Sequence, residues 1–332
     1  MDEQNIQVLL AQRPQGMVKD EDFNYQESSR PQLQAGEVLV RNKFISLDPA
    51  MRGWMNAGTT YIPGVAIGAV MRALSAGEVV ESMHPDFEVG SHVGGMFGAQ
   101  LYATAKAEAL QKLDLDKGPL SWHLGILGMP GMTAYFGLLD KGKPEAGENV
   151  FITGAAGIIG STVGQIAKIK GCKVYGTAGT DEKCRYLLDE CGFDGVINYK
   201  KEDVQTRLKE LIPDKIHLFY DNVGGQIMDM ALGHLARGAR MVICGAISQY
   251  NASDMYGPKN YMKIVTARGY ITGIIVFDYI ERYPEAVAQL SEWLKVGKMK
   301  TREHIFEGIR NFGPVLKKLY TGENFGKLLL KV

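Results

Sequence analysis

The stretch Asn149-Val150-Phe151-Ile152-Thr153-Gly154-Ala155-Ala156-Gly157-Ile158-Ile159-Gly160-Ser161 reads as a short apolar strand, a glycine-rich turn and the start of a helix. Beyond it Val163, Ile166 and Ala167 share one helical face, and Gly171 stands where a left-handed cap ends a helix. A tight turn at this junction gathers unpaired N–H groups and the positive end of the helix dipole, which suits a pyrophosphate. The pattern departs from G-x-G-x-x-G because Ala155 replaces the first glycine. Glycine-rich strand-to-helix turns also arise for packing alone, so the surrounding chain has to decide.

Working outward, Lys173 to Thr177 reads as a second strand, and Cys184, Leu187, Leu188 and Cys191 follow at helical spacing before Gly192. Val196 to Tyr199, Ile216 to Asn222, Arg240 to Gly245 and Tyr270 to Val276 read as further strands. Helical stretches lie near Asp203 to Ile212, stopped by Pro213, and Gln226 to Leu235. Strands alternating with helices imply a parallel sheet covered on both faces, the doubly wound α/β fold. Upstream, Gly and Pro break the chain into short segments such as Glu37 to Leu47, Gly64 to Ala73 and Ser91 to Phe97, which suggests a barrel-like, mostly β region. An amphipathic stretch, Ile280 to Val296, ends at Gly297, after which short strands resume. The expected layout is a mostly β domain over 1–121, a dinucleotide-binding domain over 122–296, and a tail, 297–332, that rejoins the first domain.

The 332 residues carry 37 basic and 37 acidic side chains, mixed along the chain. No basic field of the kind that nucleic acid or anionic membranes need is present. The first residues are polar and acidic, and no apolar run approaches the roughly 20 residues of a membrane span, so a cytoplasmic protein is expected. Cys172, Cys184, Cys191 and Cys244 form no C-x-x-C pair, and six scattered histidines form no H-E-x-x-H, so no metal site is expected.

NAD-binding folds place a carboxylate at the end of the second strand to hold ribose hydroxyls, yet Val174-Tyr175-Gly176-Thr177-Ala178-Gly179 has none. A 2′-phosphate fits instead, with Lys183 in the first turn of the next helix supplying charge. The alternative is a solvated lysine that pairs with Asp181 or Glu182. Asp221-Asn222 and Gly245 stand at the carboxyl ends of expected strands, where open parallel sheets bind ligands.

These residues resemble the medium-chain dehydrogenase/reductase superfamily, and within it the prostaglandin reductase, curcumin reductase and plant double-bond reductase branch. The likeness runs through Ser46-Leu47-Asp48-Pro49-Ala50-Met51-Arg52-Gly53, Leu127-Gly128-Met129-Pro130-Gly131-Met132-Thr133-Ala134-Tyr135, Val163-Gly164-Gln165-Ile166-Ala167-Lys168, Asp221-Asn222-Val223-Gly224-Gly225, Cys244-Gly245-Ala246-Ile247-Ser248-Gln249-Tyr250-Asn251 and Asn324-Phe325-Gly326-Lys327. It implies a Rossmann domain joined to a GroES-like catalytic domain, NADPH as cofactor, and a homodimer. It also implies a nucleotide cradle at Gly157, Ile158, Ile159, Gly160 and Ser161, a 2′-phosphate site at Lys183, and contacts from Tyr199, Asn222, Cys244, Gly245, Ala246, Ile247, Ser248 and Tyr250. Met129 would sit under the nicotinamide ring, Ile274, Ile275 and Val276 would wall it, and Asn324 would reach in from the tail. Other members of the branch often carry Phe where Ile274 stands.

Without a Lewis acid, direct carbonyl reduction loses its main electrophilic help, whereas hydride delivered to the β-carbon of an enone moves charge onto an oxygen that hydrogen bonds can stabilise. Reduction of the carbon–carbon double bond of an α,β-unsaturated ketone or aldehyde is therefore expected. Tyr250 is the expected donor to the enolate, assisted, as the resemblance implies, by the cofactor's ribose hydroxyl. Tyr61 and Arg52 are candidates for substrate contact. Tyr61 has packing as its alternative role, and Arg52, behind a helix start with Asp48 as N-cap and Pro49 as first residue, has a local or interdomain ion pair. A quinone reductase of the same superfamily and a non-catalytic NADPH-binding protein are the rival readings.

Overall fold

In the computed structural model, residues 4–59 and 61–332 are described, and they divide into two units. One holds the chain up to Gly125 with Glu303–Asn324 and Leu328–Val332; the other holds Ile126–Arg302 and Phe325–Lys327.

The first unit is built on β1 (Asn5–Leu10), β2 (Phe23–Ser28), β3 (Glu37–Ser46), β4 (Ser75–Ser82), β5 (His92–Gly95), β6 (Tyr102–Lys106) and β7 (Gln111–Lys112). β3, the longest, pairs antiparallel with β4 along one edge. The other edge takes β6 at Glu37–Arg41 and the last strand of the chain at Phe44–Ser46. Inward positions Val38, Val40, Val79, Phe87, Val93 and Ala103 form one core. A second joins Val8, Leu10, Ile45, Met51 and Trp54 to Phe312, Leu316 and Leu319. Each fully buried side chain of this size contributes about 1.5–3 kcal/mol, so the returning tail is part of what stabilises this unit.

The second unit is a six-stranded sheet of β8 (Asn149–Ile152), β9 (Lys173–Ala178), β10 (Gly195–Asn198), β11 (Ile216–Asp221), β12 (Leu235–Ile243) and β13 (Tyr270–Gly273). Every registered pair is parallel, and the spatial order is β10-β9-β8-β11-β12-β13. The order therefore reverses between β8 and β11, the point at which a doubly wound sheet opens a crevice for a nucleotide. The helix Ile158–Ile169 lies so close to the sheet that a Cβ on Gly160 would fall 2.5 Å from the Gly154 carbonyl oxygen. Ala155 is tolerated in place of glycine because Gly176 leaves room for its methyl group; a Cβ there would lie 2.6 Å from it.

Four expectations need correction. Gly64 to Ala73 is a turn with an isolated bridge between Val70 and Leu9 rather than a strand; Gly68 and Met71 donate to the Leu10 and Val8 carbonyls, and Ala69 accepts the Leu10 N–H. The tail is not all strand: between β14 (Glu303–Glu307) and β15 (Lys327–Lys331) lies the helix Phe312–Thr321, with Phe312, Val315, Leu316 and Leu319 buried. The helix after Asp48 runs Met51–Trp54 with Ala50 as its cap and no side-chain cap bond. The Asp48 carboxylate instead accepts from the Ser46 hydroxyl. Finally, 298–302 stays with the second unit, where Gln165 Nε2 donates to the Lys300 carbonyl at 2.9 Å and Lys300 N–H to Gln165 Oε1 at 2.7 Å.

Candidate nucleotide and active site

β8 and β11 are stitched together where the strand order reverses. The Thr153 hydroxyl donates to Asp221 Oδ1 at 2.5 Å, while Asn222 gives its N–H to Thr153 Oγ1 at 2.9 Å and its side-chain amide to the Thr153 carbonyl at 2.8 Å. Asp221 also receives the N–H groups of Val223 and Gly224. Burial raises its carboxyl pKa, a shift that these donors offset only in part. Asn222 thus spends its amide on the crevice floor, and Asp221, which the sequence already places at a strand end, carries the rest with Thr153, which the sequence did not single out as a site residue. The signal was legible: both are polar residues at the ends of apolar strands.

At this edge the helix Ile158–Ile169 begins. Gly157 is its N-cap and no side chain caps it, so the N–H groups of its first turn point outward with the helix dipole behind them. Ser161 is buried. Gly326 donates its N–H to the Ala156 carbonyl at 3.1 Å, fixing the turn from the other side.

Beside the end of β9, Tyr199 and Lys200 fold back over Gly179: a Cβ on that glycine would lie 2.8 Å from the Tyr199 hydroxyl and 3.3 Å from Lys200 Cε. Lys183 stands in the first turn of the helix Asp181–Arg185, capped by Thr180. Burial, and then the charge of Lys200, lower the Lys183 pKa. Asp181 pairs with Lys201 at 2.5 Å and Glu182 with Arg302 at 3.4 Å, while Glu182 also favours the charged form of Lys183. Phe325 packs under this corner, with Arg302 Cζ 3.8 Å and Lys183 Nζ 6.0 Å from its ring centre. Two cations that raise each other's electrostatic cost are relieved by a bound dianion, so the corner fits a 2′-phosphate. Lys200 was missed because Asn198-Tyr199-Lys200-Lys201 reads as a solvated charged turn.

After β12 the chain lies over the Asp221–Val223 turn: Cys244 and Gly245 donate N–H groups to the Asp221 carbonyl, Ile247 to Asn222 and Ser248 to Val223. Burial pushes the Cys244 thiol up to about 12, which keeps it protonated. The Tyr250 oxygen accepts the Ala246 N–H at 3.2 Å. Ile274 and Val276 are buried and Ile275 is exposed just beyond β13, with Ile274 N–H donating to the Ile243 carbonyl at 3.3 Å. Met129 opens the helix Met129–Phe136, its carbonyl accepting the Thr133 hydroxyl at 2.7 Å.

In the first unit Arg52 is 5 % exposed and sends its donors to the carbonyls of Pro14 and Gly16 and to Asn56 Oδ1 at 2.6 Å. These bonds make it a local clamp on the chain near Gly16. Tyr61 is half exposed and its oxygen accepts the Trp54 indole N–H at 3.2 Å. Asn324 follows the helix Phe312–Thr321, its N–H reaching the Lys318 carbonyl at 3.4 Å. Among the described residues, no group of three or more His, Cys, Asp or Glu side chains could hold a metal ion, and no helix is long and apolar enough to cross a membrane.

A doubly wound sheet with this cradle, in one chain with a mainly antiparallel β unit, defines a two-domain dinucleotide-dependent oxidoreductase. The comparisons agree. Residues 6–113 match the family described as the N-terminal domain of oxidoreductase, and 159–292 that described as zinc-binding dehydrogenase. The NADPH-dependent curcumin reductase of Escherichia coli (strain K12) is 39 % identical, covering 99 % of this chain and 97 % of its own. The NADP(+)-dependent 2-alkenal reductase of Nicotiana tabacum is 36 % identical over 99 % of this chain and 97 % of its own. The crystal structure of CurA from Vibrio vulnificus in complex with NADPH is 40 % identical and superposes with a TM-score of 0.94, covering 98 % of this chain and 99 % of that one. The chain belongs to the medium-chain dehydrogenase/reductase superfamily, in the branch of the curcumin, alkenal and prostaglandin reductases, with a Rossmann and a GroES-like domain.

Proposed function

We propose that this NADP-dependent oxidoreductase reduces the carbon–carbon double bond of α,β-unsaturated ketones or aldehydes, with Tyr250 as the hydrogen-bond donor to the developing enolate. The relatives that act on curcumin and on 2-alkenals support the substrate class. The observation that carries the chemistry is the Tyr250 hydroxyl, whose oxygen takes the Ala246 N–H at 3.2 Å beyond the carboxyl end of β12. A phenol that accepts one hydrogen bond becomes a better donor for the next, because successive bonds polarise one another.

When bound, NADPH would supply the hydride. The protein's share is binding and charge. The first turn of the helix at Ile158 takes the pyrophosphate, and Lys183, Tyr199 and Lys200 take the 2′-phosphate. Thr153, Asp221 and Asn222 tie β8 to β11 at the crevice floor, and Met129 with Ile274–Val276 would hold the nicotinamide ring. Tyr250 donates its O–H to the substrate oxygen as charge arrives there, the stage at which such a bond is worth most. We assign Arg52 to holding the first unit together, since its donors are already placed on carbonyls.

A homodimer forms part of the same reading. β13 is the outer strand of the sheet and carries exposed Tyr270 and Ile271, close in sequence to exposed Met262 and Val265. An apolar, exposed edge strand is an aggregation hazard unless a partner covers it, and a second copy would do so. The test of the function is NADPH oxidation against enals, enones, quinones and saturated aldehydes. Turnover confined to quinones would replace this reading with the quinone reductase one. Binding without any turnover would leave only an NADPH-binding protein.

A further inference from the structure

We propose that Asp229 is a clasp on the segment 251–260, a positioning residue that sets Tyr250 for the reaction; this rests on the donor role just given to Tyr250. Tyr250 stands at the head of that segment, which has no regular structure, and seven of its ten residues are exposed. Tyr256 and Asn260 turn inward to one acceptor. Tyr256 Oη donates to Asp229 Oδ2 at 3.1 Å, Asn260 N–H to Asp229 Oδ1 at 2.6 Å, and Asn260 Nδ2 to the Asp229 carbonyl at 3.0 Å. Asp229 is only 6 % exposed, and among the described residues no ion pair reaches it. Every hydrogen bond recorded to its side-chain oxygens comes from the segment. A buried carboxylate needs donors, so opening the segment would leave it without them.

The linkage back to Tyr250 is short. Tyr256 N–H donates to Gln249 Oε1 at 2.7 Å, and Gln249 Nε2 to the Ser248 hydroxyl at 2.8 Å, which in turn donates to the Val223 carbonyl at 2.6 Å. Gln249 and Ser248 lie on Gly225, where a Cβ would come within 2.8 and 2.9 Å of them. Gly225 opens the helix Gly225–Leu232 that carries Asp229. One helix therefore anchors the residues just before Tyr250 at its start and the returning segment one turn later, and Tyr250 is spanned between the two anchors.

The test uses the full chain with NADPH bound. Asp229→Ala is expected to speed amide exchange across 251–260 by about tenfold or more while β11 and β12 keep their rates. It should lower kcat/KM for an enone by about tenfold and leave NADPH affinity within about twofold. In a Tyr250→Phe background the same replacement should cost less than about threefold, because the group it positions is gone. Asp229→Asn, which keeps an acceptor for Asn260 and offers the Tyr256 oxygen a donor, should recover most of the loss. If Asp229→Ala fails to fold, Tyr256→Phe and Asn260→Ala carry the same readouts one bond at a time. Unchanged exchange across 251–260 overturns the clasp whatever the activity. Faster exchange with unchanged kcat/KM, or an undiminished loss in the Tyr250→Phe background, overturns the positioning role. Full turnover by Tyr250→Phe alone removes the donor assignment and with it the positioning role, while the exchange measurement still decides whether the clasp exists.

Discussion

Replacing Tyr250 with Phe removes one oxygen and keeps the ring. Two effects follow, and the structure separates them. The Ala246 N–H loses its acceptor at 3.2 Å in a partly buried turn, which should lower unfolding free energy by about 1 kcal/mol. The enolate loses a donor. Removing one donor from an oxyanion site typically costs about 2.7 to 4 kcal/mol. The loss should be smaller here, because the resemblance implies a second donor in the cofactor ribose and water can supply the proton to the α-carbon. A fall of roughly tenfold to a hundredfold in turnover is expected, about 1.4 to 2.7 kcal/mol of barrier. Single-turnover reduction of an enone with NADPH prebound measures hydride transfer directly, and a cofactor titration should show little change in affinity. Hydride transfer at the unmodified rate would make Tyr250 a packing residue and turn attention to Tyr61.

Lys183→Glu should weaken NADPH binding strongly and NADH binding little, and Lys200→Ala should weaken NADPH by about tenfold, as titration with both cofactors would show; equal affinity of the unmodified protein for the two would refute the phosphate corner. Gly164→Ala drives a methyl carbon within 2.2 Å of the Phe193 ring and should cost about 1–3 kcal/mol in urea unfolding; an unchanged midpoint would mean that Phe193 moves aside freely. Ile271→Lys on the outer strand should shift sedimentation to the monomer, and an unmodified protein that sediments as a monomer would rule out that contact. Activity should survive a chelator, and loss restored by zinc would overturn the enolate mechanism.

The second unit was legible because its signals are local. Each apolar run of four to six residues ends in or beside a turn former, and Gly171 and Gly192 stop helices where the sequence places those stops. The tail was not, since Gly313 and Pro314 interrupt the pattern in the first turn of Phe312–Thr321 and disguise Phe312, Val315, Leu316 and Leu319. Arg52 shows another limit: a lone arginine in a helix start gives no sign that its partners are carbonyls 36 and 38 residues earlier. Lys200 and Asp229 were hidden for the same reason. Each matters through residues brought near by the fold, Gly179 and Lys183 for one, Tyr256 and Asn260 for the other.

The central claim is that hydride goes to carbon beyond the carbonyl. It is tested most directly by incubating the protein with an α,β-unsaturated ketone and NADPH deuterated at the transferred position, then locating the deuterium in the product. The account predicts a saturated ketone carrying deuterium on the β-carbon, one equivalent for each NADPH consumed. Deuterium on the carbonyl carbon of an allylic alcohol would contradict it.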